Sequence, residues 1–247
     1  MNALKDHLFA LKRSLFLLRK RAFLIFFIPG LVVASIFILY VVGLSILNDG
    51  LRFFAKLPWI GIYLGSTINT VFNWINSLSL FIYQFTIITL LSPFNTLLSQ
   101  RVETTETGRD FPDGWTKFFK DILRTLGVII FGGLLYFSCY LLWSIIAWLF
   151  GLTILSPFVA LVLLSFFTGF NSYDYSLERH NISVINSWKY AFQHPLQMIF
   201  TGLIFTILLY IPFIGVVLAP VILTMVGTIN FLELQKKKVK KEKSIES

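Results

Sequence analysis

Seven polar side chains, Ser66, Asn69, Thr70, Asn73, Asn76, Ser77 and Gln84, interrupt a stretch that carries no charge from Leu57 to Gln100. At 100° per residue they fall within one arc of about 120° on a helix. Amides and hydroxyls can stand in for part of the hydration shell of a small ion. Such a face is costly against lipid and should meet protein or water, which makes it a candidate hydrophilic pathway. The same face would also serve interhelical hydrogen bonding or an oligomer contact, each bond worth about 0.6 kcal/mol in a bilayer.

Other residues extend this chemistry. A dianion is strongly hydrated, so moving it needs replacement donors: backbone N–H groups at helix N-termini and arginine. Helices restarting after Pro157 and Pro220 would present such N–H groups. Arg101 and Arg179 stand at the ends of two uncharged stretches. Asn69, Asn73, Asn76, Gln84, Asn95, Arg101 and Arg179 are therefore the anion-pathway candidates. The arginines could instead be structural. Glu103, Asp174 and Glu178 would repel an anion, and they are read as an interfacial ion-pair network that clamps helical hairpins.

Enzymatic chemistry has no comparable residue set. His7, His180 and His194 are dispersed. There is no His-Glu-x-x-His pair, no Gly-x-Ser-x-Gly elbow and no Gly-x-x-x-x-Gly-Lys-Ser/Thr phosphate loop. The expectation is a non-enzyme without catalytic residues, cofactor or metal. Cys139 stands alone, which excludes an internal disulfide and a cysteine metal cluster.

The elements that must position these residues follow from composition. The chain has 247 residues, of which 56% are hydrophobic and 13% charged. Mean hydropathy is +0.78. Soluble proteins average about 45–50% apolar and about 25% charged. A soluble domain, a disordered chain and a fibrous repeat are therefore excluded, and lipid must cover the surface. Uncharged stretches run over 22–48, 57–100, 125–173 and 190–232. About 20 apolar residues cross a membrane as a helix. The first stretch is one span, and it is too long to be a cleaved signal peptide. As a single helix the second would be about 66 Å long, so it must bend, tilt or run partly outside the core.

The 21 Lys and Arg residues set the sidedness. If the first two stretches each cross once and the last two each return, 19 of the 21 share one side. The positive-inside rule makes that side cytoplasmic, with both chain ends on it. The third stretch should turn near Gly151 and Pro157, with a short second arm over 158–171. The fourth should break at Pro212, Gly215 and Pro220. The expected fold is an all-α integral membrane protein with two long transmembrane helices and two helical hairpins, at least one only partly inserted.

Leu4, Leu8, Leu11, Leu15 and Leu18 occupy one face of an N-terminal helix, and Lys5, Lys12 and Arg19 another. Residues 1–21 read as an amphipathic arm on the anionic membrane surface or on the protein's own cytoplasmic face. Residues 22–232 form one helical membrane domain. Residues 233–247 form a basic cytoplasmic tail. That tail lacks any groove-fitting element, so no nucleic-acid partner is expected.

Two motifs carry a family resemblance. One is Leu91–Glu103, LSPFNTLLSQRVE; the other is Tyr173–His180, YDYSLERH. Together with the 212–220 break they resemble the CysZ-type sulfate permeases of the etoposide-induced membrane protein family, over roughly residues 8–233. The resemblance implies an all-helical fold with two long membrane helices and two half-inserted hairpins. It also implies a homo-oligomer in the bacterial inner membrane that admits sulfate. Sulfate-type members carry a Gly-Leu-Arg element before the first span, where this chain reads Arg19-Lys20-Arg21-Ala22-Phe23. Two functions follow: uptake of a small inorganic anion, sulfate first, or a non-transporting scaffold that interacts with lipid.

Overall fold

A computed structural model describes residues 3–55, 79–111, 115–211 and 214–246. Among them the chain is helical and has no strand. The helices are α1 (Ala3–Leu18), α2 (Arg21–Leu24), α3 (Phe27–Ala55), α4 (Ser79–Thr107) and α5 (Trp115–Phe150). They continue with α6 (Ser156–Arg179), α7 (Val184–Gln193), α8 (Pro195–Leu209) and α9 (Ile214–Glu246). Three segments are long and apolar enough to cross a bilayer: Leu123–Phe150, Thr153–Arg179 and Ile214–Lys240. The chain is an all-α membrane protein.

Helix α9 is the axis of the packing. From Ile214 to Leu232 its sequence is largely apolar, which suits a helix covered all round. Leu223 joins Val33, Ile87, Leu91 and Phe205 in one core cluster, and Val226 joins Ala10, Leu17, Leu98 and Val102 in another. Phe231 enters a third with Phe170, Tyr173 and Trp188. The rings of Phe170 and Trp188 lie 4.2 Å apart. The outer helix α5 instead exposes Leu134, Leu141, Leu142 and Trp148. In water that surface would drive aggregation; in a membrane it faces lipid.

Helix ends follow local chemistry. Gly151 closes α5 with φ +67°, and the Leu152 N–H reaches back to the Ala147 carbonyl at 2.8 Å. This left-handed stop satisfies an orphan carbonyl at the hairpin tip. Asn181, with φ 56°, does the same for α6, and the Ile182 N–H donates to Leu177. Pro157 sits in the first turn of α6, where its missing N–H costs nothing.

Two details differ from the sequence expectation and a third adds to it. No break occurs at Pro220, which lies in the second turn of a continuous α9. Proline removes one backbone bond, but dense packing around Ala219, Val221 and Ile222 outweighs that local loss. The free N–H groups expected after Pro220 are therefore absent there. The second arm of the third stretch is also not short. Residues 171–179 stay helical because their polar side chains find partners inside the protein. Finally, the α1 face that packs on the protein is His7, Ala10, Ser14 and Leu17, while Leu4, Leu8 and Leu15 remain about half exposed. Small residues on the packed face let α1 lie close to α8 and α9, with the leucine face outward beside it.

Helices α6 and α8 cross unusually closely. A Cβ added at Gly169 would run into the Met198 carbonyl, and one at Gly202 into the Ser165 carbonyl. Ser165, Gly169, Ser172 and Ser176 form a small-residue line along α6, the pattern that lets membrane helices approach. Gly227 of α9 meets Ser172 on the same line. Helices α7 and α8 meet at 91°, with Pro195 opening the second arm.

Candidate functional site

Helix periodicity brings three polar faces together. On α4, Ser92, Asn95, Thr96, Ser99 and Glu103 share an arc, and all are buried. On α6, Ser172, Ser176 and Arg179 do the same, and on α9, Thr224 and Thr228. The hydroxyls of Ser99 and Thr228 lie 2.6 Å apart, and those of Ser99 and Ser176 3.4 Å apart. A hydroxyl seam thus runs through the middle of an apolar bundle.

An ion-pair cluster caps one end of that seam. Arg179 Nε donates to Glu103 Oε2 at 3.0 Å, and His180 Nε2 donates to Glu103 Oε1 at 2.7 Å. The Arg179 Nη2 group donates to Ser99 Oγ and, at 3.1 Å, to Ser176 Oγ. The Phe111 ring lies 5.8 Å from the guanidinium. The Arg179 and Glu103 side chains are only 3% and 1% exposed, so both charges are removed from solvent. Burial pushes the Glu103 carboxyl up, but the His180 hydrogen bond and the Arg179 charge outweigh it and hold the group below its ordinary value.

A second cluster ties α5 to α6. Arg124 Nη2 donates to Asp174 Oδ1 and to Ser187 Oγ, each at 3.0 Å, and a guanidinium nitrogen lies 3.9 Å from Glu178. A third cluster docks α1. His7 Nδ1 donates to the Ala3 carbonyl at 2.8 Å. Its Nε2 lies 2.9 Å from the Thr201 hydroxyl, 3.1 Å from the Gln197 carbonyl and 3.1 Å from Asn230 Nδ2. Asn230 also donates to the Tyr173 hydroxyl at 2.7 Å. Burial lowers the His7 pKa, and the Ala3 and Gln197 carbonyls facing the ring oppose that shift without cancelling it.

These clusters share one end of the molecule. Asp6 pairs with Lys237, and Arg13 with Glu106 at 2.9 Å. Both ends of the described chain therefore lie together, beside the end of α4 and the 174–180 segment.

The sequence candidates are placed unevenly. Arg179, Glu103, Asp174 and Glu178 lie in these ion pairs. Asn95 is buried on α4, on the same side as Ser99. Arg101 is exposed on the opposite side of α4 from Glu103, so the two arginines are not brought together. Asn69, Asn73 and Asn76 lie outside the described residues, as does the Gln84 side chain. Sequence reasoning missed Arg124, Ser99, Thr228 and the His7–Asn230 pair. The i, i+4, i+7, i+11 spacing of Ser92, Thr96, Ser99 and Glu103 was the available signal. Among the described residues no three His, Cys, Asp or Glu side chains converge to hold a metal.

The chain matches, over residues 10–220, the family model described as sulfate transporter CysZ/etoposide-induced protein 2.4. Both sequence motifs fall inside that range. Comparison with curated proteins returned no match.

Proposed function

The chain belongs to the sulfate transporter CysZ/etoposide-induced protein 2.4 family, and from that premise we propose that it admits a small inorganic anion, sulfate first, across the bacterial inner membrane. The observation that carries this reading is the buried hydroxyl seam of Ser92, Ser99, Ser176, Thr224 and Thr228 inside a membrane bundle. Hydroxyls donate to an anion without adding the fixed charge that would trap it. Passage demands binding that is favourable enough to enter and weak enough to leave. Asn69, Asn73, Asn76, Gln84 and Asn95 would continue this donor line.

In this reading both chain ends are cytoplasmic, the protein is a multi-pass homo-oligomer, and anions are gathered by the basic end. The tip of the α5–α6 hairpin supports partial insertion. Trp148, Phe150, Ile154 and Phe158 are all more than three-fifths exposed there, where a water-facing turn would be polar.

The test is radiolabelled sulfate uptake into proteoliposomes, with chloride, phosphate and sulfite as competitors. Saturable flux that is lost when Asn69 and Asn73 are both changed to alanine, with assembly intact, supports transport. A scaffold reading has one observation in its favour. Arg179, the buried cation nearest the seam, is already engaged by Glu103, Ser99 and Ser176. Absence of flux for every tested anion, from folded and oriented protein, selects that reading.

A further inference from the structure

A cavity of about 1100 Å³ opens between the C-terminal part of α9 and the α7–α8 junction. Its walls include Phe231, Leu234, Lys237, Lys238 and Lys240 of α9 and Tyr190 of α7. The lysines follow the end of the apolar run in α9, within the last turns of the membrane-length segment Ile214–Lys240. The cavity therefore sits at the level where a bilayer passes from hydrocarbon to headgroups.

Its chemistry is split. Lys237 is committed to Asp6. Among the described residues, Lys238 and Lys240 pair with no carboxylate. The Tyr190 ring lines the cavity, while its hydroxyl is closed off from solvent and has no hydrogen-bond partner among the described residues. Phe231, Leu234 and Ile182 give the lining its apolar part, beside the polar Gln193, His194 and Gln235. The space is many times the ~30 Å³ share of one water, so it is far too large for an inorganic anion alone. A ligand that fits must carry negative charge and acceptor oxygens at one end and apolar substance at the other.

We propose that this cavity binds an anionic phospholipid, the phosphate meeting Lys238 and Lys240 and the glycerol and first acyl carbons lying over Phe231, Leu234 and the Tyr190 ring. The bound lipid would wedge the basic tail of α9 against the α7–α8 elbow. This site is independent of the anion pathway and stands whether or not the protein transports sulfate.

The test is titration of the delipidated full-length protein with phosphatidylglycerol and with phosphatidylcholine, read by native mass spectrometry. The paired variant Lys238→Gln/Lys240→Gln is compared with the charge-matched control Lys236→Gln/Lys243→Gln, whose residues do not line the cavity. Removing both cavity lysines should weaken phosphatidylglycerol binding about 30-fold, and the control pair should leave it unchanged. Three results would each overturn the proposal. One is equal binding of phosphatidylcholine. Another is equal loss in the control pair, which would mean diffuse tail attraction. The third is full displacement by inorganic phosphate at the lipid's concentration, which would mean a free-anion site.

Discussion

Arg179 of α6 and Glu103 of α4 are 76 residues apart in the chain and 3.0 Å apart in the fold, both shielded from solvent. Each charge is tolerable there only because the other is present. The pair therefore reports whether α4 is seated against α6. It also places the one cation nearest the seam under a carboxylate, which limits the pull the seam can exert on an anion.

Removing either partner should be costly. Arg179→Ala or Glu103→Gln leaves a buried charge uncompensated, and about 3–5 kcal/mol of stability should be lost. Thermal unfolding in detergent measures this. Acid should do the same gradually. Because the Glu103 carboxyl lies below its ordinary 4.5 in the folded protein, its contribution is present above that value and is lost as pH falls through the folded one.

The α6–α8 crossing makes a sharp contrast between glycines. Gly169→Ala forces a methyl group onto the Met198 carbonyl and should destabilise by about 1–3 kcal/mol. Gly127→Ala on α5 meets open space and should stabilise by roughly 0.5–1 kcal/mol through helix propensity. Monodispersity on gel filtration together with melting temperature would separate the two. Equal behaviour would mean that α6 and α8 are not in close contact.

Much of this architecture was legible, and the reason is chemical. Charge-free stretches and the placement of lysine and arginine are properties of composition, so the membrane class and the helical fold could be read directly. Pro220 could not be read correctly, because whether a proline breaks a helix depends on what packs around it. The ion pairs were half legible. Glu103, Asp174 and Glu178 stood out as carboxylates, but Arg124 is one basic residue among several. Only the approach of α5 to α6 distinguishes it. The buried face of α1 was obscured by the more regular leucine face next to it, since periodicity shows which residues share a side and not which side is covered.

Docking of α1 should depend on pH. Burial lowers the His7 pKa, so the folded state binds its proton less readily than the unfolded state. The stability it supports is full above the ordinary histidine value of 6.5 and declines as pH falls below it. Hydrogen exchange across residues 3–18 should accelerate in mild acid. His7→Gln should remove that dependence, whereas persistence of the full acid response in the variant would assign it to another group.

The Asp6–Lys237 pair should contribute little by itself. Lys237 is 39% exposed, and such pairs are worth about 0.2–1 kcal/mol. Asp6→Lys should cost an amount in that range, and the exchanged pair Asp6→Lys with Lys237→Asp should recover it. Salt titration of the melting temperature provides the check.

The contacts of His7 carry a consequence for biosynthesis. Its partners are Thr201 and Asn230, with Tyr173 behind them. A ribosome makes the N-terminal arm first and these partners long afterwards. Helix α1 can meet Leu98, Val102 and Glu106 of α4 early, but the His7 contacts that fasten it must wait for α8 and α9. Assembly of this fold thus closes with α1 fastened to α9.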